Sequence, residues 1–379
     1  MKKKICLISL PMLFFIGICL YVYKQPPLRN AIFRSIAMGN NFLISENDTL
    51  YSFGYYGVRK WLIKKDGLQF LKENKEFVHN CFIGRLIGRS GIINGNYIYV
   101  ASRSCLGGME ESDNKNYING KLLVLRKTDL SIIQEIDSDI KLIEIKKIQN
   151  NIVVSGLNGF NIYNTSRPDS LFEVYKYRTK NFSEFQGVEL FNIDSCKYIA
   201  FARFGEGISI WNMSDPKHTY AVKNIAIQDT LTNGTVLPKG LQCFRIKLKY
   251  PYLYVTLAPS SSFFEKQEDI RGILVYDLSD MDNIKSAISL IPKKDYYKTK
   301  IGDPEPTHLD IYKNRLYANF GEKGVAVFNI TQPFNPIYEN IVDANNEGAM
   351  ILPLHINYKG ILFTGDYYWS DIYFKKLDN

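Results

Sequence analysis

One phrase recurs along this chain and limits its fold more than any other feature: a glycine, a run of alternating apolar residues, then a turn built from Asn or Asp, Ser or Thr, and Pro. The clearest copies are Gly207-Ile-Ser-Ile-Trp-Asn-Met-Ser-Asp-Pro216, Gly272-Ile-Leu-Val-Tyr-Asp-Leu-Ser-Asp280 and Gly324-Val-Ala-Val-Phe-Asn-Ile-Thr-Gln-Pro333. Gly159-Phe-Asn-Ile-Tyr-Asn-Thr-Ser-Arg-Pro168 keeps the same frame, weaker copies begin at Gly57 and Gly120, and a last one lies at Ser370-Asp-Ile-Tyr-Phe-Lys-Lys376. The alternation has period two, and no long stretch carries a 3.6-residue apolar stripe, so these are strands rather than helices. Each glycine is expected to supply a positive φ between strands, and each Ser or Asp to bond the chain two residues on.

A strand pair with a tight polar turn precedes each phrase, as in Leu309-Asp-Ile-Tyr-Lys-Asn-Arg-Leu-Tyr-Ala-Asn-Phe320. With the glycine-led third strand and a fourth after the turn, each unit makes a four-stranded antiparallel sheet, and radial repetition of such sheets hides their edges. The spacing from Gly57 to Gly120, Gly159, Gly207, Gly272 and Gly324 is too uneven for a solenoid but suits a ring with loop insertions. The expectation is an all-β chain, a β-propeller of seven blades over residues 42–379, with six or eight as the rival counts. Its 26 Tyr and 23 Phe agree with strands.

The third-strand phrase ending in Ser-Asp-Pro resembles the LVIVD repeat, with Gly207 to Pro216 the nearest copy. That resemblance implies a bacterial or archaeal cell-surface propeller without an assigned chemistry. A TolB-like six-bladed propeller lipoprotein is similar in organisation.

The amino terminus adds a location. Residues 1–4 are basic, and residues 5–23 run from Ile5 to Tyr23 without a charge, long enough for a hydrophobic helix to cross a bilayer. The reading is an uncleaved membrane anchor or signal that holds the propeller outside the membrane, in the cell envelope. Ile16-Gly17-Ile18-Cys19 resembles a lipobox, which makes Cys19 the candidate lipidation site. Residues 24–41 form a linker, within which a strand near Ala31 to Ala37 is expected to complete the last blade.

Net charge is +9, but Lys2, Lys3, Lys4 and Lys24 flank the apolar segment, and the surplus left to the rest is too mild for nucleic acid. Beyond the segment lie Cys81, Cys105, Cys196 and Cys243, without metal-site spacing; four cysteines allow three pairings, and free thiols are the alternative.

Chemistry has few footholds. Superposing first strands on Ile145, Phe191, Ile246, Leu309 and Leu354 places Glu144, Leu190, Arg245, His308 and Pro353 at one level. Lys146, Asn192, Lys247, Asp310 and His355 follow two residues on. First strands face the central channel, so these residues are candidates for its mouth, with ordinary solvent-facing positions as the alternative. Asp303, Glu305, His308 and Asp310 form the densest titratable cluster, suited to general acid–base work or, with His355, a divalent ion. No nucleophile elbow or phosphate loop is present, and no cofactor is implied. Tyr367, Tyr368 and Trp369 are expected in an exposed loop as contact residues, whereas Trp61 and Trp211 fall at blade-packing positions. The function expected is a binding scaffold for a protein, peptide or glycan, with specificity in the insertions at 103–118 and 258–271. The alternative is a propeller hydrolase or lyase using His308, Arg245, Asp310 and Glu305.

Overall fold

The computed structural model describes residues 40–377, apart from 55–56, 75–85, 105–118, 181–182, 228–230, 233, 235, 260–269, 297–307, 320–323, 343–350 and 367–371. These residues form seven antiparallel sheets, taken in chain order as blades 1 to 7, six of four strands and the last of three. The seven expected units are the seven blades, and their third strands are Gly57–Lys64, Gly120–Arg126, Gly159–Asn164, Ile208–Asn212, Gly272–Asp277, Val325–Asn329 and Ile372–Lys376. Among the described residues, helix is confined to Lys293–Tyr296 and a 3-10 turn at Pro216–His218.

First strands lie innermost. They are Asn40–Glu46, Leu86–Asn94, Leu142–Ile148, Gly187–Ile193, Leu241–Lys249, Leu309–Tyr312 and Ile351–Ile356. Each touches the next around the circle, and the strand of blade 7 touches that of blade 1, which closes the ring. Apolar side chains pack between neighbouring blades in seven clusters, one per seam. That between blades 3 and 4 holds Phe160, Phe185, Phe201, Trp211 and Met213. Among the described residues, the seam between blades 7 and 1 buries Leu43, Leu50 and Phe363, and leaves Trp61, Ile63, Leu68, Ile361 and Ile372 part-buried.

The repeated phrase has a local cause at each end. Gly207 has φ 89°, and a Cβ there would lie 2.1 Å from the Ile225 carbonyl oxygen. Gly272 has no such φ, yet its Cβ would lie 2.2 Å from the Ser289 oxygen. Close approach of the fourth strand, not positive φ alone, therefore demands the glycine. At the other end the bonding residue is the Asn or Asp that closes the third strand. Asn164, Asn212, Asp277 and Asn329 accept from the backbone N–H two residues on at 2.9, 2.9, 3.0 and 2.9 Å.

The two rims of the ring differ. First and second strands join through two residues in six blades (47–48, 95–96, 149–150, 194–195, 250–251 and 313–314). Antiparallel topology sends second-to-third connections and blade-to-blade connections to the opposite rim, where the spans are 105–119, 226–240, 260–271 and 291–308. The expected insertions at 103–118 and 258–271 both belong to this long-connection rim.

The closing strand at 31–37, the segment at 5–23 with Cys19, the cysteines Cys81 and Cys105, and Glu305, Tyr367, Tyr368 and Trp369 lie outside the described residues. No helix among the described residues is long and apolar enough to cross a membrane. Cys196 and Cys243 are free thiols, which excludes all three pairings, since each would engage both. Burial pushes the Cys243 thiol up to about 12, so it stays protonated and inert.

Candidate ligand site in the central channel

The ladders define a common level on the seven inner strands. Three residues beyond each repeat glycine, Ile162 pairs through Val153 to Lys146, Ile210 through Ala200 to Glu189, Val275 through Tyr254 to Lys247, and Val327 through Tyr317 to Asp310. In blades 1, 2 and 7 the same level holds Ile44, Gly91 and His355. Blade 4 corrects the sequence register, since Asn192 is exposed and Glu189 takes the channel position. The apolar run Val188, Leu190, Phe191 admits two alignments, and only the ladder separates them.

At and beside this level, every seam of the ring is tied by an inner-strand contact. The Phe42 ring covers Gly91, where a Cβ would fall 3.0 Å from Phe42 Cε1, between blades 1 and 2. Ile145 N donates to Ser90 Oγ at 3.3 Å between blades 2 and 3, and Lys146 Nζ meets Glu189 at 3.0 Å between blades 3 and 4. Arg245 Nη1 donates to Gln186 Oε1 at 3.1 Å and to the Gln186 carbonyl between blades 4 and 5. Lys247 pairs with Asp310 at 2.8 Å between blades 5 and 6, and Ile356 N donates to Asp310 Oδ2 at 3.1 Å between blades 6 and 7. Ser45 Oγ and His355 Nε2 lie 2.7 Å apart between blades 7 and 1.

Inside this belt is a cavity of about 180 Å3 lined by first-strand residues, among them Arg89, Glu144, Lys146, Arg245, Lys247, Asp310 and His355, and by His308 just before the first strand of blade 6. All five described candidates from the sequence, Glu144, Arg245, His308, Asp310 and His355, thus share one chamber. Bulges in the ladders of blades 1, 2, 3, 5 and 7 fall at or beside lining residues, between Asn40 and Phe42, Gly88 and Ser90, Ser155 and Gly156, Cys243 and Ile246, and Ile351 and Leu354. A bulge re-aims a side chain and tightens twist, which is how strands of one repeat pattern present different groups inward.

Burial works against the Asp310 carboxylate, but Lys247 first, then His355 and two hydrogen bonds, hold its pKa below the usual value. For His355 burial wins: its pKa falls below the ordinary 6.5, Asp310 offsetting only part and Lys247 adding to the fall. Burial lowers the Lys146 ammonium less than Glu189 and Glu144 raise it, so it stays charged. Burial also lowers Arg245, against the pull of Glu144, with Arg103 pushing the same way as burial.

The geometry limits the chemistry. His355 Nδ1 stands 3.9 Å from Asp310 Oδ2, beyond hydrogen-bond reach, and the Asp310 oxygens already accept from Lys247, Ile311 N and Ile356 N. His308 is positioned through its backbone, its N–H donating to Asn319 Oδ1 at 2.7 Å. Among the described residues no group of three or more His, Cys, Asp or Glu is placed to hold a metal ion. Sequence reading missed Glu189, Arg89 and Ser45; a charged residue interrupting the apolar run Val188–Phe191 was the available signal for the first.

No family model and no curated protein matches the chain. Solved structures do. The Neurospora crassa Pan2 WD40 domain has TM-score 0.55 at 10% identity, over 92% of this chain and 91% of that one. The N-terminal domain of Nup159 has TM-score 0.52 at 10% identity over 88% of each chain. A protein from Lactobacillus plantarum has TM-score 0.55 at 7% identity, over 86% of this chain and 88% of its own. At such identities the likeness carries the architecture and nothing of these proteins' activities, and the chain is a seven-bladed β-propeller.

Proposed function

We propose that this chain is a membrane-anchored, extracytoplasmic binding scaffold that engages a protein, peptide or glycan on its long-connection rim. The observation that carries this reading is the asymmetry of the rims. One rim carries six two-residue turns and third-to-fourth connections of at most seven residues, while the four longest connections, 105–119, 226–240, 260–271 and 291–308, lie on the other. Binding groups on a rigid scaffold belong where loops vary without disturbing strands. The charge-free run at 5–23 and the LVIVD-like repeats support the location.

A photo-crosslinking residue at Glu206 or Val236, both exposed on the long-connection rim, is expected to capture a discrete adduct in native membranes. The same residue at Asp282, exposed on the opposite rim, is expected to capture none. Equal capture from both rims overturns the reading. The second reading, a hydrolase or lyase, draws on His308, His355, Arg245 and Asp310 lining one cavity. Their hydrogen-bond economy runs against it, because Asp310 and His355 are spent on tying blades together.

A further inference from the structure

One acceptor in the central cavity is left without a donor. Glu144 lines the cavity; its Oε1 lies 3.5 Å from Lys146 Nζ, but its Oε2 is buried without a hydrogen bond. A buried acceptor in that state costs its full desolvation, so it marks where an arriving donor belongs. The same lining also holds donors. Ser90 Oγ accepts from Ile145 N at 3.3 Å and keeps its own O–H to give, and Lys247 Nζ, with three N–H groups, meets Asp310 at 2.8 Å. Net charge is a different matter. Lys146 is answered by Glu189 and Glu144, and Lys247 by Asp310. Arg245 is held by Gln186, with Glu144 and Glu184 offsetting Arg103, and Arg89 is engaged as well. The ionic groups answer one another, and none is left to balance a charged guest.

These features specify an occupant. A carboxylate or an ammonium would enter a matched set of charges and stay uncompensated at a largely buried site, which is costly. A hydroxyl group donates and accepts at once, so several of them on one skeleton answer Glu144 Oε2, Ser90 and Lys247 without adding charge. Much of the remaining wall is carbon. Phe42, Ile92 and Leu309 line it, and the negative face of an aromatic ring such as Phe42 attracts polarised C–H groups. Size sets the scale: a cavity of about 150 Å3 holds a benzene-sized ring, and this one measures about 180 Å3. One six-membered ring with hydroxyls at its edge and C–H groups on its faces meets these terms.

We propose that the central cavity binds a single neutral ring polyol, free or as the terminal residue of a glycan, with Glu144 Oε2 accepting one of its hydroxyl groups. The site goes beyond rim binding and stands whether or not a macromolecular partner is found there. Its test is calorimetric titration of the full chain with glucose, galactose, mannose and myo-inositol, against cyclohexanol, glucuronate and glucosamine. At least one neutral polyol is expected to bind about tenfold or more tighter than cyclohexanol, and tighter than either charged sugar. A further gain from the bound sugar to a disaccharide ending in it identifies a glycan terminus, and no gain identifies the free ligand. Glu144→Met, which removes the unpartnered acceptor and keeps the Lys146–Glu189 pair, is expected to lose about tenfold in affinity. Glu144→Gln keeps the side-chain shape and the fold, and its weaker neutral acceptor should cost about threefold. Failure of all four polyols to bind, equal binding of cyclohexanol, tighter binding of a charged sugar, or undiminished affinity in the folded Glu144 variants overturns the proposal.

Discussion

The seam between blades 3 and 4 and the seam between blades 7 and 1 are built from the same strand pattern and differ in depth. In the first, Phe160 packs tilted against Phe201 at 4.7 Å and meets Trp211 edge-on at 5.1 Å, with Phe185 and Tyr177 closing the cluster. In the second, Phe363 is buried, but Trp61, Ile63 and Ile372 are part-covered, and Phe374 on the outer strand of blade 7 stands exposed. Blade 7 has three described strands where its neighbours have four. The difference teaches that the depth of apolar packing varies around a ring whose seams are all tied at the inner strands, the closing seam by Ser45 to His355 with the exposed pair Lys359–Asp48 at its periphery.

The comparison breaks most readily at its deep end. Phe160→Ala is expected to cost about 4 kcal/mol in chemical denaturation, and Phe363→Ala clearly less, because its neighbours already meet water. Equal losses would show that the two seams are energetically alike. If the segment at 31–37 supplies a fourth strand to blade 7, as the sequence suggests, deleting residues 30–38 is expected to cost about 3 kcal/mol. An unchanged melting temperature would exclude that segment as the closing strand. Asp310→Asn should cost about 2 kcal/mol by stranding Lys247, and pairing it with Lys247→Met should restore much of the loss in a double-mutant cycle.

The smallest effect is the most specific to the closing seam. Since the folded pKa of His355 is depressed, the unfolded chain binds the extra proton first. Its contribution is present above the ordinary value near 6.5 and is lost as pH falls below that value toward the folded pKa. Melting curves between pH 7.5 and 5.5 should therefore fall with acid in the wild type and flatten in His355→Gln, a difference of about 1 kcal/mol or less. Identical slopes would remove His355 from the seam's pH response.

Much of the fold was legible because its determinants are local. Gly207, Asn212 and the alternation between them act within one hairpin, so a seven-fold recurrence of that grammar reveals seven blades. The candidate site was legible only in part. Glu144, Arg245, His308, Asp310 and His355 fall on two adjacent inward levels that the repeat exposes, whereas Glu189 lies three residues before Asn192, the position that alignment on Phe191 selects. Ser45 and Arg89 carry no motif, and their roles arise only when blade 1 meets blade 7 and a bulge turns blade 2 inward. Sequence periodicity reports which face a residue takes, and it is silent on which neighbour the residue finds there.

The ties along the inner strands also bear on how the ring finds its order. Seven blades of nearly one pattern can in principle dock in wrong sequence, because an apolar face accepts any other apolar face. A lysine at the inner level of blade 3 finds its acid in blade 4, a lysine in blade 5 finds its acid in blade 6, and a histidine in blade 7 finds the serine of blade 1. Swapping two blades would set lysine against lysine or leave a carboxylate buried alone, so the channel lining serves as an address code that penalises misassembly during folding.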